Sequence, residues 1–230
     1  MDYTRKDFPP RTQLERDLAT IIDSWRIRDL DPRAPAMIPP SAAMGEMSYH
    51  RHPYELKLLI SLFTFFMIYI DDRSSRGNPA PYAAFQQKYV TSQPQLDPVL
   101  DHFADCLGDM WSFYDVFTAN AIVTSALDFL SGCVLERYAS VDWPTYTLPD
   151  CSRSITTNMP INPCADRYPY YLRSKTGVAQ AYAFMMFPKS LHHSPTSFIQ
   201  AAPAISFWID VTNDILSFHK GTFVYPIYYP

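Results

Sequence analysis

Leu58-Leu-Ile-Ser-Leu-Phe-Thr-Phe-Phe-Met-Ile-Tyr-Ile70 runs directly into Asp71-Asp72-Arg73-Ser74-Ser75. Only Ser61 and Thr64 interrupt the apolar part. A membrane-spanning helix needs about 20 apolar residues, so this shorter stretch reads as a helix buried in a protein core. Pro53 is well placed near its start. The helix is expected to end at Ile70, with Asn78, Pro79 and Pro81 marking the break that follows. A helix C-terminus carries partial negative charge, which disfavours a carboxylate there by roughly 0.3–1 kcal/mol. Two adjacent carboxylates on a buried helix end therefore ask for a positive partner, and a divalent cation is a natural one. The alternative is a helix end at the surface with both acids solvated.

Helical spacing continues in both directions. Leu14, Leu18, Ile21, Ile22 and Trp25 share a helical period, and residues 27–40 read as a proline-punctuated loop. Further helices are expected over 97–116 and over 119–138, where Ile122, Ala126, Phe129, Cys133 and Leu135 lie near one face. Residues 142–169 carry Pro144, Pro149, Pro160, Pro163 and Pro169 and read as a long irregular segment. Helix resumes over 169–187. A last helix starts near Ser194 or Ser197 and runs to about Lys220, with Pro203 marking its first turn or a kink. No strand alternation is present, so the fold class is all-α.

Composition removes several functions. Net charge is −4, from 19 basic and 23 acidic residues. That balance argues against a nucleic-acid partner and against a polybasic membrane-surface protein. The 21 prolines come with only 6 glycines, which excludes collagen and flexible linkers. No GxGxxG and no Walker A pattern occurs, so any phosphate is to be bound through side chains and metal. Met1–Pro10 has no apolar core of a signal peptide, and the four cysteines show no CxxC pairing. The expected location is cytoplasmic. His50-Arg51-His52 and His192-His193 lack the i, i+4 spacing of a helical metal pair and read as surface residues.

The second chemistry-bearing stretch is Asn213-Asp-Ile-Leu-Ser-Phe-His-Lys220. On a helix, Asn213, Ser217 and Lys220 fall at i, i+4 and i+7 and share one face. An amide oxygen, a hydroxyl and an ammonium together suit a hard cation with an anionic ligand. The alternative is an ordinary solvated face.

An acidic pair after a long apolar helix, followed much later by NDxxSxxK, resembles the class I terpene cyclases. The chain is most similar to the fungal trichodiene synthase family of sesquiterpene cyclases. Ser125-Ala-Leu-Asp-Phe-Leu-Ser-Gly-Cys-Val-Leu-Glu-Arg-Tyr138 resembles that family's helix before the active-site hinge. Tyr171-Leu-Arg-Ser-Lys-Thr-Gly177 resembles its YLRxxxG segment, and Phe187-Pro-Lys189 the turn after it. The resemblance covers roughly 55–220. It implies an α-helical bundle and Mg²⁺-dependent ionisation and cyclisation of farnesyl diphosphate, with three ions. It implies that Asp71 bridges two ions with Asp72 in support, and that Asn213 and Ser217 bind a third. Arg173, 40 positions before Asn213, would be the diphosphate sensor, with Lys220 a further diphosphate contact. Thr64 and Ile68 would line the substrate pocket, and the assembly implied is a homodimer.

Two departures from the family pattern are visible. Asp71-Asp72-Arg73-Ser74-Ser75 lacks the third acid of the fuller motif, and Gly221 stands where the family's second motif carries a metal-binding Glu. Residues 221–230, Gly-Thr-Phe-Val-Tyr-Pro-Ile-Tyr-Tyr-Pro, do not continue a helical pattern. The expected organisation is therefore a partial terpene-cyclase α-domain over 1–220 without the family's C-terminal helices, and a non-family tail over 221–230. The alternative functions are a catalytically inactive remnant of a terpene cyclase or a helical binder of an apolar ligand.

Overall fold

The computed structural model describes residues 12–141, 164–192 and 194–224, with the backbone alone described over 136–141 and 217–224. Every regular element among the described residues is helical. The chain divides into two compact units, residues 1–69 and 70–230.

In the first unit, α1 (Gln13–Ser24) begins at Thr12, whose hydroxyl accepts a hydrogen bond from the Glu15 amide at 3.1 Å. Leu14, Leu18 and Ile22 recur every fourth residue and are buried. Trp25, just past the helix, stacks on Phe66 at 5.6 Å and meets Phe65 edge-on at 6.0 Å. Residues 27–33 of the loop expected over 27–40 are irregular, but the rest belongs to α2 (Ala34–Ala43), which packs against α1. Pro35 lies in the first turn, where no donor is needed. Pro39 and Pro40 lie inside and do break the bonding pattern. Burial of Ala34, Met37, Ile38, Ser41 and Ala42 along one face offsets that loss. The backbone then widens into a π-helical turn, Met44–Ser48. A Cβ on Gly45 there would run into the Lys57 carbonyl oxygen and the Ser61 hydroxyl, so this turn lies against the start of α3.

The helix α3 (Tyr54–Arg76) contains the apolar stretch Leu58–Ile70. It runs six residues beyond the expected end at Ile70. Asp71 and Asp72 therefore lie within the helix, and Arg73 and Arg76 occupy its last turn, where cations suit the helix dipole. Gly77, Asn78 and Pro79 form the break.

The second unit is arranged around α6 (Val116–Val141), with α4 (Ala80–Val90), α5 (Pro98–Phe113), α7 (Tyr168–Thr176) and α8 (Ala179–Met185) packed on it. The helix α4 has no counterpart in the expected elements. Val116–Leu135 has the length and apolarity of a membrane-crossing helix, and here it is the central packing element of its unit. Its N-terminus is capped by Asp115, which accepts from the Phe117 and Thr118 amides at 3.0 and 3.2 Å. Gln86 of α4 donates to the Leu127 carbonyl at 2.6 Å and to the Ser131 hydroxyl at 2.7 Å. The buried Tyr114 hydroxyl donates to the Met185 carbonyl at 3.0 Å, which fixes α8 against the end of α5.

The helix expected over 169–187 is two helices, α7 and α8, separated by an extended Gly177 (φ −118°, ψ 160°). A 3₁₀ turn, Pro195–Ser197, precedes α9 (Ala202–Val224), which packs on α8. This last helix begins at Ala202 and not near Ser194 or Ser197, and Pro203 lies in its first turn. The α9 backbone stays helical past Lys220 to Val224, so the first residues of the proposed tail continue the helix. Residues 142–163 and 225–230, which hold most of the irregular segment and of the tail, lie outside the described residues.

Candidate active site

The last turns of α3 present two adjacent carboxylates. Asp72 is paired with Arg76 one turn on, at 3.3 Å. Arg73 bonds the hydroxyl of the buried Tyr82 instead. Asp71 is an exposed residue. Desolvation, with repulsion from Asp72 second, raises its pKa above the ordinary carboxylate value. A further positive charge beside this pair would relieve both effects.

The second cluster joins α7 to α9. Arg173 sits one turn before the end of α7, and its guanidinium crosses to one face of α9. Its Nε donates to both carboxylate oxygens of Asp214, at 2.9 and 3.1 Å. Its Nη1 forms an ion pair with Asp210 Oδ1 at 3.0 Å. Nη2 makes long contacts of 3.4 Å to the Asn213 side-chain oxygen and to the Asp210 carbonyl. Asp210 is raised above the ordinary carboxylate value by burial, opposed by Arg173 and reinforced by Asp214. Gly177 makes the arrangement possible, since a Cβ there would collide with Arg173 Nη1.

This cluster lies on the wall of a partly open cavity of about 960 Å³ lined by α6, α7, α8, α9 and the segment before α9. Arg173, Asp210 and Asp214 line it, as do Phe117, Phe184, Ile199, Phe207 and Val211. The lining thus joins a charged cluster to a predominantly apolar surface. Asn120, Thr124, Gln180 and Ser206 add uncharged polar groups.

The structure brings Arg173 and Asn213 together, with Nη2 3.4 Å from the Asn213 side-chain oxygen. Asp71 and Asp72 belong to the same unit and are not among the residues lining the cavity. Thr64 and Ile68 belong to the first unit and do not line it either. The Thr64 hydroxyl is buried on the Ile60 carbonyl of its own helix, at 2.8 Å. The side chains of Ser217 and Lys220 lie outside the described residues. Sequence reasoning missed Asp210. Its signal was present: it precedes Asn213 by three positions and Asp214 by four, the spacing of one helical face. The aromatic wall from Phe117 and Phe184 was missed because neither belongs to a motif.

Among the described residues, no group of three or more His, Cys, Asp or Glu side chains stands together as a metal site. Mg²⁺ does not require one. It commonly takes one or two carboxylates and completes its shell with phosphate oxygens and water. The crowded Asp71–Asp72 pair fits that mode, and the Asn213 side-chain oxygen is a suitable hard donor.

An all-α unit with an aspartate pair, and with an arginine on an Asn-Asp motif beside an apolar cavity, has the features of a terpene synthase. The family model of trichodiene synthase (TRI5) matches residues 26–223. The terpene synthase BipA of Cochliobolus sativus is 32% identical over 174 residues, covering 76% of this chain and 48% of that protein. An (E)-beta farnesene synthase of Metarhizium brunneum is 31% identical over 213 residues, covering 89% of this chain and 59% of that one. The trichodiene synthase of Fusarium culmorum is 24% identical over 198 residues, covering 83% and 47%. The chain belongs to the trichodiene synthase family of terpene synthases. It spans about half the length of the curated relatives it matches.

Proposed function

We propose that this chain carries the diphosphate-binding part of a Mg²⁺-dependent sesquiterpene synthase that ionises and cyclises farnesyl diphosphate. The observation that carries the reading is the placement of Arg173, with Asp210, Asn213 and Asp214, on the wall of an otherwise mostly apolar cavity. Such a cavity suits an amphiphile with an anionic head and a hydrocarbon tail. The guanidinium is planar and offers two donor edges, which suits oxygens on two phosphates.

In this reading Asp71, Asp72 and Asn213 hold Mg²⁺, together with Ser217. Bound there, Mg²⁺ supplies the charge neutralisation that makes diphosphate a leaving group. Arg173 binds and orients the diphosphate and counters the charge that grows as the C–O bond breaks. Lys220 adds a second cation. The apolar walls hold the prenyl chain, and the faces of Phe117, Phe184 and Phe207 stabilise positive charge on it. Aspartates facing the leaving group would repel it without a counter-cation, so the pairing of Arg173 with two carboxylates supports a site completed by metal.

The test is incubation of the purified chain with farnesyl diphosphate, with and without Mg²⁺, followed by gas chromatography with mass detection. The expected result is terpene product that requires Mg²⁺ and disappears in Arg173→Ala. A folded wild-type chain that releases no diphosphate from the substrate would contradict the proposal.

A further inference from the structure

Arg173 does not hold its two carboxylate partners in the same way. The Asp210 side chain is 19% exposed and Arg173 itself 27%, whereas Asp214 is 56% exposed. Asp210 meets the Nη1 end of the guanidinium as an ion pair of 3.0 Å, and its buried Oδ1 has no hydrogen-bond partner among the described residues, so charge and packing hold it there. The backbone of Gly177 closes over that same end, with no room for a methyl group between. Asp214 and Asn213 meet Nε and Nη2 from the more open side. One cation thus faces two carboxylates. An incoming anion of high charge has to displace one of them, and an exposed ion pair is the weakly held one.

We infer that Asp210 is a positioning residue for Arg173: it anchors the Nη1 end against Gly177, so that the outer edge can pass from Asp214 to an anionic ligand without loss of the guanidinium's orientation. Asp214 is then an exchangeable partner that occupies the outer edge until the anion arrives. The inference rests on the proposed diphosphate reading only for the identity of that anion. The two partners are distinguishable because electrostatics and positioning predict opposite signs. Removing either negative charge lowers repulsion toward an anion. Removing the anchor also releases the guanidinium, a rigid fork whose value lies in its pre-set direction.

The experiment uses the full chain with inorganic pyrophosphate and Mg²⁺ as the calorimetric probe. In parallel, the rotation of the Arg173 guanidinium is read from its Nη resonances by NMR without ligand. Asp214→Asn is expected to bind pyrophosphate about twofold to fivefold tighter than wild type. Asp210→Asn is expected to bind it roughly tenfold more weakly, as loss of a charge-assisted contact implies. Restricted Nη rotation should persist in Asp214→Asn and vanish in Asp210→Asn. Tighter binding by both variants would overturn the inference, because both carboxylates would then act only by repulsion. So would free rotation in Asp214→Asn, a result that needs no folded Asp210 variant. A wild-type chain that binds no pyrophosphate refutes the diphosphate reading, while the rotation measurement still decides the role of Asp210.

Discussion

Gly177 shows how one missing side chain organises the site. Its backbone is extended and unstrained, so conformational freedom is not why it is there. Its value is the space that Arg173 Nη1 occupies. Gly177→Ala should fold, because the group it displaces is the end of a flexible side chain. Pyrophosphate binding should fall by roughly tenfold while the melting temperature barely moves, measured by calorimetry on the same preparation. Asp71 leads to a second prediction. Its folded-state pKa is raised, so the native state keeps a proton that the unfolded chain has already lost. Stability therefore falls as pH rises from the ordinary value of 3.8 through the raised one. Asp71→Asn should raise the melting temperature at pH 7, and that gain should vanish below pH 3.8. Added Mg²⁺ should stabilise wild type more than this variant. The motif YLRxxxG was legible in the sequence. That its glycine makes room for its arginine was not, because a steric fit across a helix break leaves no trace in spacing.

At the scale of elements, close helix approach depends on residues that sequence reading passes over. A Cβ on Gly132 would run into the Lys175 carbonyl, so α6 meets the end of α7 backbone to backbone. Asp128 of α6 and Lys175 of α7 close the same contact with an ion pair of 2.6 Å. Gly132→Ala should destabilise the chain by about 1–3 kcal/mol through overpacking. Gly108, inside α5, has nothing within 4 Å of where a Cβ would be. Gly108→Ala should therefore stabilise by about 0.5–1 kcal/mol, the ordinary helix preference for alanine. Urea unfolding of the pair checks both signs. The long apolar helices, α1, α5 and α6 were readable from period alone. Where that reading failed, local chemistry had been given too much weight. The prolines of α2 suggested a loop, but a buried face outweighs two lost hydrogen bonds. The polar run Asp71–Arg76 suggested a helix end, although a polar last turn with two arginines is a good terminus. Conversely, 169–187 kept its helical composition across the break at Gly177.

For the molecule as a whole, the apolar side of α9 decides how dry the cavity is. Phe207 and Trp208 are 61% and 66% exposed, and Ile215 and Leu216 are similarly open. Phe207 also lines the cavity, so water has access to at least part of its wall. A carbocation formed there meets water, which a closed site would exclude. Gas chromatography of products from this chain should therefore show acyclic alcohols above cyclic hydrocarbons. A dominant single cyclic product would show that the cavity closes in solution. The sequence motifs supplied Arg173, Asn213 and the family, whereas the two carboxylates on Arg173 and the cavity wall, drawn from four helices, emerged only once they were packed.

The central claim is that Arg173 gives this cavity its affinity for a prenyl diphosphate. Calorimetric titration with farnesyl thiodiphosphate, an unreactive analogue, in the presence of Mg²⁺ tests it directly, with farnesol titrated in parallel. Wild type should bind the analogue well above farnesol, and Arg173→Ala should lose about tenfold or more of that affinity while keeping its farnesol binding. Equal affinity of wild type for the analogue and for farnesol, or an Arg173→Ala variant that binds the analogue as wild type does, would contradict it.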